Sequence, residues 1–169
     1  MKKNIYLVGF MGSGKSTVGK ILAEKLNLEF IDIDKEIEKQ TGLTIPQIFK
    51  TYGEQHFRKL ERKQIENFVN KQGYVVSTGG GLGANPENME KMKKSGYVVW
   101  LDVSLEEILK RCESDTNRPL LNQPKDNIEK LYDERKEVYQ KSHIHINADG
   151  KTPEEIADEI IKRCKSTQV

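Results

Sequence analysis

Gly9-Phe10-Met11-Gly12-Ser13-Gly14-Lys15-Ser16-Thr17 is the stretch on which the fold turns. It fits G-x-x-x-x-G-K-[ST], a loop whose backbone N–H groups cradle phosphates when a strand precedes it and a helix follows. Both conditions hold. Ile5–Val8 is a short apolar run, partly β-branched, of the kind a strand buried on both faces shows. Beyond the loop, Val18, Ile21, Leu22 and Leu26 recur at helical spacing, with Ala23 filling in. Gly12 and Gly14 let the backbone wrap closely, while Ser13 and Thr17 belong to the same cradle. Lys15 brings a mobile cation to the β/γ-phosphates, and Ser16 offers a hydroxyl to Mg²⁺. The implied ligand is a nucleoside triphosphate.

Outward from the loop, strand and helix alternate. Apolar runs fall at Ile5–Val8, Leu28–Ile33, Tyr74–Ser77, Tyr97–Leu101 and His143–Ile146. Helical patterns lie at about 15–27, 35–50, 54–71, 86–94, 104–113, 126–141 and 153–164, with cap signals such as Asn85-Pro86-Glu87 and Thr152-Pro153-Glu154-Glu155. This alternation predicts an α/β fold, a parallel sheet covered by helices on both faces. The chain of 169 residues suits one core, so a single domain over 1–169 is expected. Ser114–Asp126, polar and without periodicity, reads as a long loop serving as a lid.

Composition narrows the partners. A net charge of +2, with charges interspersed, gives no signal for nucleic acid. No apolar run reaches transmembrane length. Met1-Lys2-Lys3 and the apolar residues after it superficially imitate a signal peptide, but Gly12-Ser13-Gly14-Lys15 interrupts the run. Cys112 and Cys164 lack metal-ligand neighbours, and the expectation is a reducing cytoplasm. The expectation is a monomer without membrane or nucleic-acid partners.

In a parallel sheet, ligands bind at the carboxyl ends of the strands. The second end reads Phe30-Ile31-Asp32-Ile33-Asp34; residues two apart in a strand share a face, so Asp32 and Asp34 are expected to point the same way, toward metal and substrate. Alternatively they are an N-cap and a solvated turn. The third end reads Val75-Val76-Ser77-Thr78-Gly79-Gly80-Gly81 and offers no carboxylate, which leaves Asp32 as the metal candidate and weakens the GTPase and motor-ATPase readings. Gly79, Gly80 and Gly81 are either a flexible turn or backbone donors to a bound molecule. Arg58 and Glu61, three apart, form either a surface pair or a fork held ready for an anion. Arg118 lies within the expected lid, while Arg135 says nothing by spacing alone. His56, His143 and His145 make no nucleophile or metal constellation, and ordinary packing is expected of His143, His145 and Trp100.

In their order and spacing, GFMGSGKST, FIDID, GEQHFRKLE, STGGG, VVWL, NRPLL and the pair Arg135/Tyr139 make the chain resemble the shikimate kinases along nearly its whole length. Only the region of His143–Asn147 and Lys151–Pro153 matches loosely. The resemblance implies a nucleoside-monophosphate-kinase fold with sheet order 2-3-1-4-5, a substrate-binding segment at about 33–61, and a lid. It implies transfer of the ATP γ-phosphoryl group to the 3-hydroxyl of shikimate, with Mg²⁺. Asp34 is then the candidate base, with Lys15 and Arg118 at the phosphates and Arg111 packing on adenine. Arg58, Gly80 and Arg135 bind shikimate, the two arginines through its carboxylate. Ser16 and Asp32 belong to the metal. Two competitors stand beside this reading: a small-metabolite kinase of the same fold acting on gluconate or a nucleotide, and a nucleotide-sensing module without catalysis.

Overall fold

The computed structural model describes residues 3–111 and 124–167. Its strands are β1 (Asn4–Val8), β2 (Glu29–Asp32), β3 (Tyr74–Ser77), β4 (Gly96–Asp102) and β5 (Ile144–Asn147). They form one five-stranded sheet in the order β2-β3-β1-β4-β5, every pair parallel. β1 is central and wholly buried. The helices are α1 (Lys15–Leu26), α2 (Ile33–Thr41), α3 (Ile45–Tyr52), α4 (Glu54–Val69), α5 (Gly80–Gly83), α6 (Pro86–Ser95), α7 (Leu105–Arg111), α8 (Lys125–Tyr139) and α9 (Pro153–Ser166). The expected Arg118 and nearly all of the expected lid lie outside the described residues, as does Cys112.

Sheet and helices lock together through a few close contacts. Gly19 lets α1 lie on β2, since a Cβ there would stand 2.5 Å from Phe30 Cε1. Asn4, fully buried in β1, donates to the carbonyls of Phe68 (2.9 Å) and Lys71 (3.0 Å). Its Oδ1 accepts from the Tyr74 amide at 3.0 Å. One side chain thus fastens the end of α4 to the start of β3, and no polar atom of it is stranded.

Two expectations need correcting. The helix expected over 35–50 is two helices: Gly42, in the left-handed region at φ 72°, ends α2, and a capping box of Thr44 and Gln47 starts α3. The strand expected to run through Ile33 stops at Asp32, whose carboxylate caps α2 by accepting from the Lys35 amide at 3.3 Å. Asp34 therefore sits in the first turn of α2, and the two aspartates do not share a strand face. The capping interaction bends the chain before the strand period reaches Asp34.

Candidate active site

The sheet brings three clusters to the carboxyl ends of β1, β2 and β3. The first is the loop between β1 and α1. Gly14 caps α1 at φ 87° with no side-chain hydrogen bond, which leaves first-turn N–H groups open to an anionic ligand. The Lys15 ammonium is 8% exposed and lies over its own loop, donating to the carbonyls of Gly9 (2.6 Å) and Phe10 (3.1 Å). A phosphate offers it charged acceptors in place of neutral ones. Arg111, at the end of α7, reaches this loop: its Nη1 stands 3.9 Å from where a Cβ on Gly14 would lie, while its Nε bonds Glu107 at 3.1 Å.

The second cluster joins α1 to β2 and β3. Ser16 Oγ donates to Asp32 Oδ2 at 2.8 Å, and Ser77 Oγ lies 3.4 Å from the same hydroxyl. These are hard oxygen donors with a single carboxylate among them. That fits Mg²⁺, which keeps several waters and takes one or two protein carboxylates beside substrate phosphates.

The third cluster gathers around Gly79 and the glycines of α5. Arg58 Nη1 bonds Glu61 Oε1 at 2.7 Å, and its Nη2 bonds the exposed Glu54 at 3.3 Å. The guanidinium lies flat against Gly81, where a Cβ would stand 2.6 Å from Cζ. Arg135 does the same one residue earlier: Nη1 is 2.8 Å from the Cβ position of Gly80, and the guanidinium lies 5.6 Å above the Phe10 ring. The glycines of α5 are therefore the floor on which two arginines rest. The expected choice between flexible turn and backbone donors omitted this function of missing side chains.

Two carboxylates close the cluster. Asp34 Oδ1 and Glu61 Oε2 are buried without a hydrogen-bond partner, and they stand 3.0 and 3.3 Å from the Cβ position of Gly79. Burial, reinforced by Asp32, pushes Asp34 up to about 6. Burial likewise pushes Glu61 up to about 7 against the pull of Arg58, with the Asp34 charge adding to the rise. The folded protein thus holds the Glu61 proton more tightly than the unfolded chain, whose glutamate keeps its ordinary value near 4.5. Stability from this group is greatest in acid and is lost as pH rises from about 4.5 through about 7. Glu61→Gln keeps the shape and an oxygen for Arg58 but removes the charge. The fall in melting temperature between pH 5 and pH 8 should be smaller in the variant than in the parent, and equal slopes would contradict this assignment.

Of the sequence-derived residues, the structure brings Lys15, Ser16 and Asp32 together at the loop, with Arg111 beside it. It brings Asp34, Arg58, Gly79, Gly80, Gly81 and Arg135 together around α5. Two further residues join them. Glu61 enters as a buried acid as well as an arginine partner. Tyr139 donates to the Gly80 carbonyl at 2.6 Å, and only its pairing with Arg135 in the resemblance hinted at it. His145, expected to be a packing residue, is an exposed one: it stacks on Trp100 at 4.3 Å and bonds Asp102 at 2.8 Å, while Trp100 is core as expected. Among the described residues no group of three His, Cys, Asp or Glu side chains is set to hold a metal.

A phosphate loop on a 2-3-1-4-5 parallel sheet, with a clamp of arginines and a buried carboxylate at the neighbouring strand ends, defines a P-loop small-molecule kinase. The family model for Shikimate kinase matches residues 11–165. A shikimate kinase of Sulfurihydrogenibium sp. (strain YO3AOP1) is 63% identical over 163 residues, which cover 96% of this chain and 98% of that one. The crystal structure of shikimate kinase from Aquifex aeolicus superposes with a TM-score of 0.88 at 46% identity, covering 96% of both chains. Shikimate kinase from Acinetobacter baumannii in complex with shikimate gives a TM-score of 0.90 at 40% identity, over 98% of this chain and 94% of that one. The chain belongs to the shikimate kinase family, and so is an ATP-dependent kinase with an alcohol acceptor.

Proposed function

We propose that this chain transfers the γ-phosphoryl group of ATP to the 3-hydroxyl of shikimate, yielding shikimate 3-phosphate and ADP for aromatic amino-acid biosynthesis. The observation that carries the reading is the pair of guanidiniums seated on Gly80 and Gly81 beside Asp34. A small polyol acid needs cations for its carboxylate and a carboxylate for its hydroxyls, and this cluster holds both within one pocket. A nucleotide acceptor would call for a base-stacking pocket and several phosphate-binding arginines, whereas this cluster offers carboxylates, two arginines and glycines. Family membership favours shikimate over gluconate.

Each group has a task. Arg58, pre-set by Glu61, and Arg135 grip the acceptor carboxylate in two-pronged fashion. Asp34 accepts a hydrogen bond from the 3-hydroxyl and takes its proton as the new O–P bond forms and the bond to the β-phosphate oxygen breaks. A carboxylate titrating at about 6 is ionised at neutral pH yet more basic than an ordinary aspartate. Lys15 and the loop amides of Gly12, Ser13, Gly14 and Thr17 hold the phosphates, with Arg111 against the adenine side. Ser16 and Asp32 would hold Mg²⁺, which would offset the charge of the phosphates. We read the enzyme as a cytoplasmic monomer.

Arg58→Ala or Arg135→Ala should weaken shikimate binding by about 2–5 kcal/mol, with ATP affected less. Arg58→Lys should also bind poorly, since an ammonium lacks the fork. Calorimetry decides, and normal shikimate binding by both alanine variants would remove the clamp from the account. Asp32→Asn should raise the Mg²⁺ concentration needed for activity, and excess Mg²⁺ should partly restore the rate. A Mg²⁺ titration unchanged from the parent would dismiss Asp32 as the metal carboxylate.

A further inference from the structure

Arg58 and Arg135 are like charges held side by side, so each needs an anchor. Arg58 has Glu61 and Glu54. Arg135 pairs with no carboxylate among the described residues. What lies beside it is Tyr139, one turn further along α8 and 1% exposed. Its hydroxyl donates to the Gly80 carbonyl at 2.6 Å, and Gly80 is the residue on which Arg135 rests. A Cβ on Gly80 would meet Arg135 Nη1 at 2.8 Å and Tyr139 Oη at 3.6 Å, so both groups converge on the Gly80 α-carbon.

This end of α8 is packed into the core through Tyr139, with Val138 against it. Among the described residues, α5 is the element with which α8 makes its main contact. The Tyr139 ring meets Trp100 only at 6.0 Å between centroids, and it borders a cavity of about 360 Å³ also lined by Asp102, Lys136 and His145. Apolar packing is non-directional, and the short bond to Gly80 adds a directional contact between α8 and α5. Burial raises the phenol pKa, so the hydroxyl remains a donor throughout the working pH range.

We propose that Tyr139 is the positioning residue for Arg135: by fastening α8 to the Gly80 carbonyl, it sets the separation of the two guanidiniums that grip the acceptor carboxylate. This rests on the reading of the clamp given above. Tyr139 touches neither reacting atoms nor substrate in this account, so its effect must pass through Arg135.

The test is Tyr139→Phe, alone and with Arg135→Ala. The ring remains against Trp100, so circular dichroism should match the parent, while melting should fall by only a few degrees as the Gly80 carbonyl loses its donor. The KM for shikimate should rise roughly tenfold, the scale of a stranded buried acceptor, while kcat and the KM for ATP stay within about twofold. With the methyl ester of shikimate, which lacks the carboxylate charge, parent and variant should differ much less. In an Arg135→Ala background the added Tyr139→Phe change should cost almost nothing, because its target is gone. An unchanged KM in a folded, active Tyr139→Phe overturns the proposal, as do equal losses with acid and ester or additive losses with Arg135→Ala. An unfolded Tyr139→Phe also overturns it, since the hydroxyl would then serve the core. Parent enzyme that turns over ATP without needing shikimate would instead sink the functional reading itself.

Discussion

Lys15→Met is expected to lower phosphoryl transfer by roughly 10³-fold or more while leaving the fold intact. The transferring group spreads negative charge over its oxygens, and a preorganised cation at that place stabilises the transition state more than the ground state. Methionine has nearly the reach of lysine and is an equally good helix former, so the first turn of α1 should persist. What is lost is the charge that now rests 2.6 Å from the Gly9 carbonyl. A coupled assay for ADP release, with circular dichroism on the same sample, reads both parts. Near-normal turnover in folded Lys15→Met would contradict the assignment of the loop.

Asp34→Asn should lower transfer by roughly 10²–10⁴-fold, the range for a lost general base. Its stability should move the other way. Oδ1 of Asp34 is buried without a partner, and the carboxylate stands in the field of Asp32. Removing that charge should leave the unliganded protein at least as stable at pH 7.5, which a melting curve records. Excess Mg²⁺ should not restore the rate, in contrast to Asp32→Asn. A fall of less than about tenfold would leave Asp34 only a positioning role, since phosphoryl transfer is loose and needs little help with the proton.

The loop and the layered architecture are legible in the sequence because both are local. A buried parallel strand reads as a continuous apolar run, and the glycine loop has a fixed spacing. The strand order came from family resemblance rather than from any pattern in the apolar runs. The break at Gly42 and Thr44 was also locally signalled, by a left-handed C-cap and a capping box, yet the apolar periodicity runs across it. Strand parity failed at Asp34 because one hydrogen bond from Lys35 to Asp32 outweighs the continuation of β2. The clamp was only half visible. Arg58 and Glu61 are one turn apart, but the contact of Arg58 with Gly81 and that of Arg135 with Gly80 join residues far apart in sequence. The raised pKa values of Asp34 and Glu61 come from burial, which exists only once α2, α4 and α5 have packed.

The central claim is that the acceptor is shikimate and that the clamp recognises it. Its most direct test is ADP release by the purified chain with ATP and Mg²⁺, with shikimate present, absent, or replaced by gluconate, and with phosphorus NMR of the product. The account predicts turnover that depends on shikimate and a single new phosphate ester on its 3-hydroxyl. Equal ADP release with and without shikimate, or equal turnover with gluconate, would contradict it.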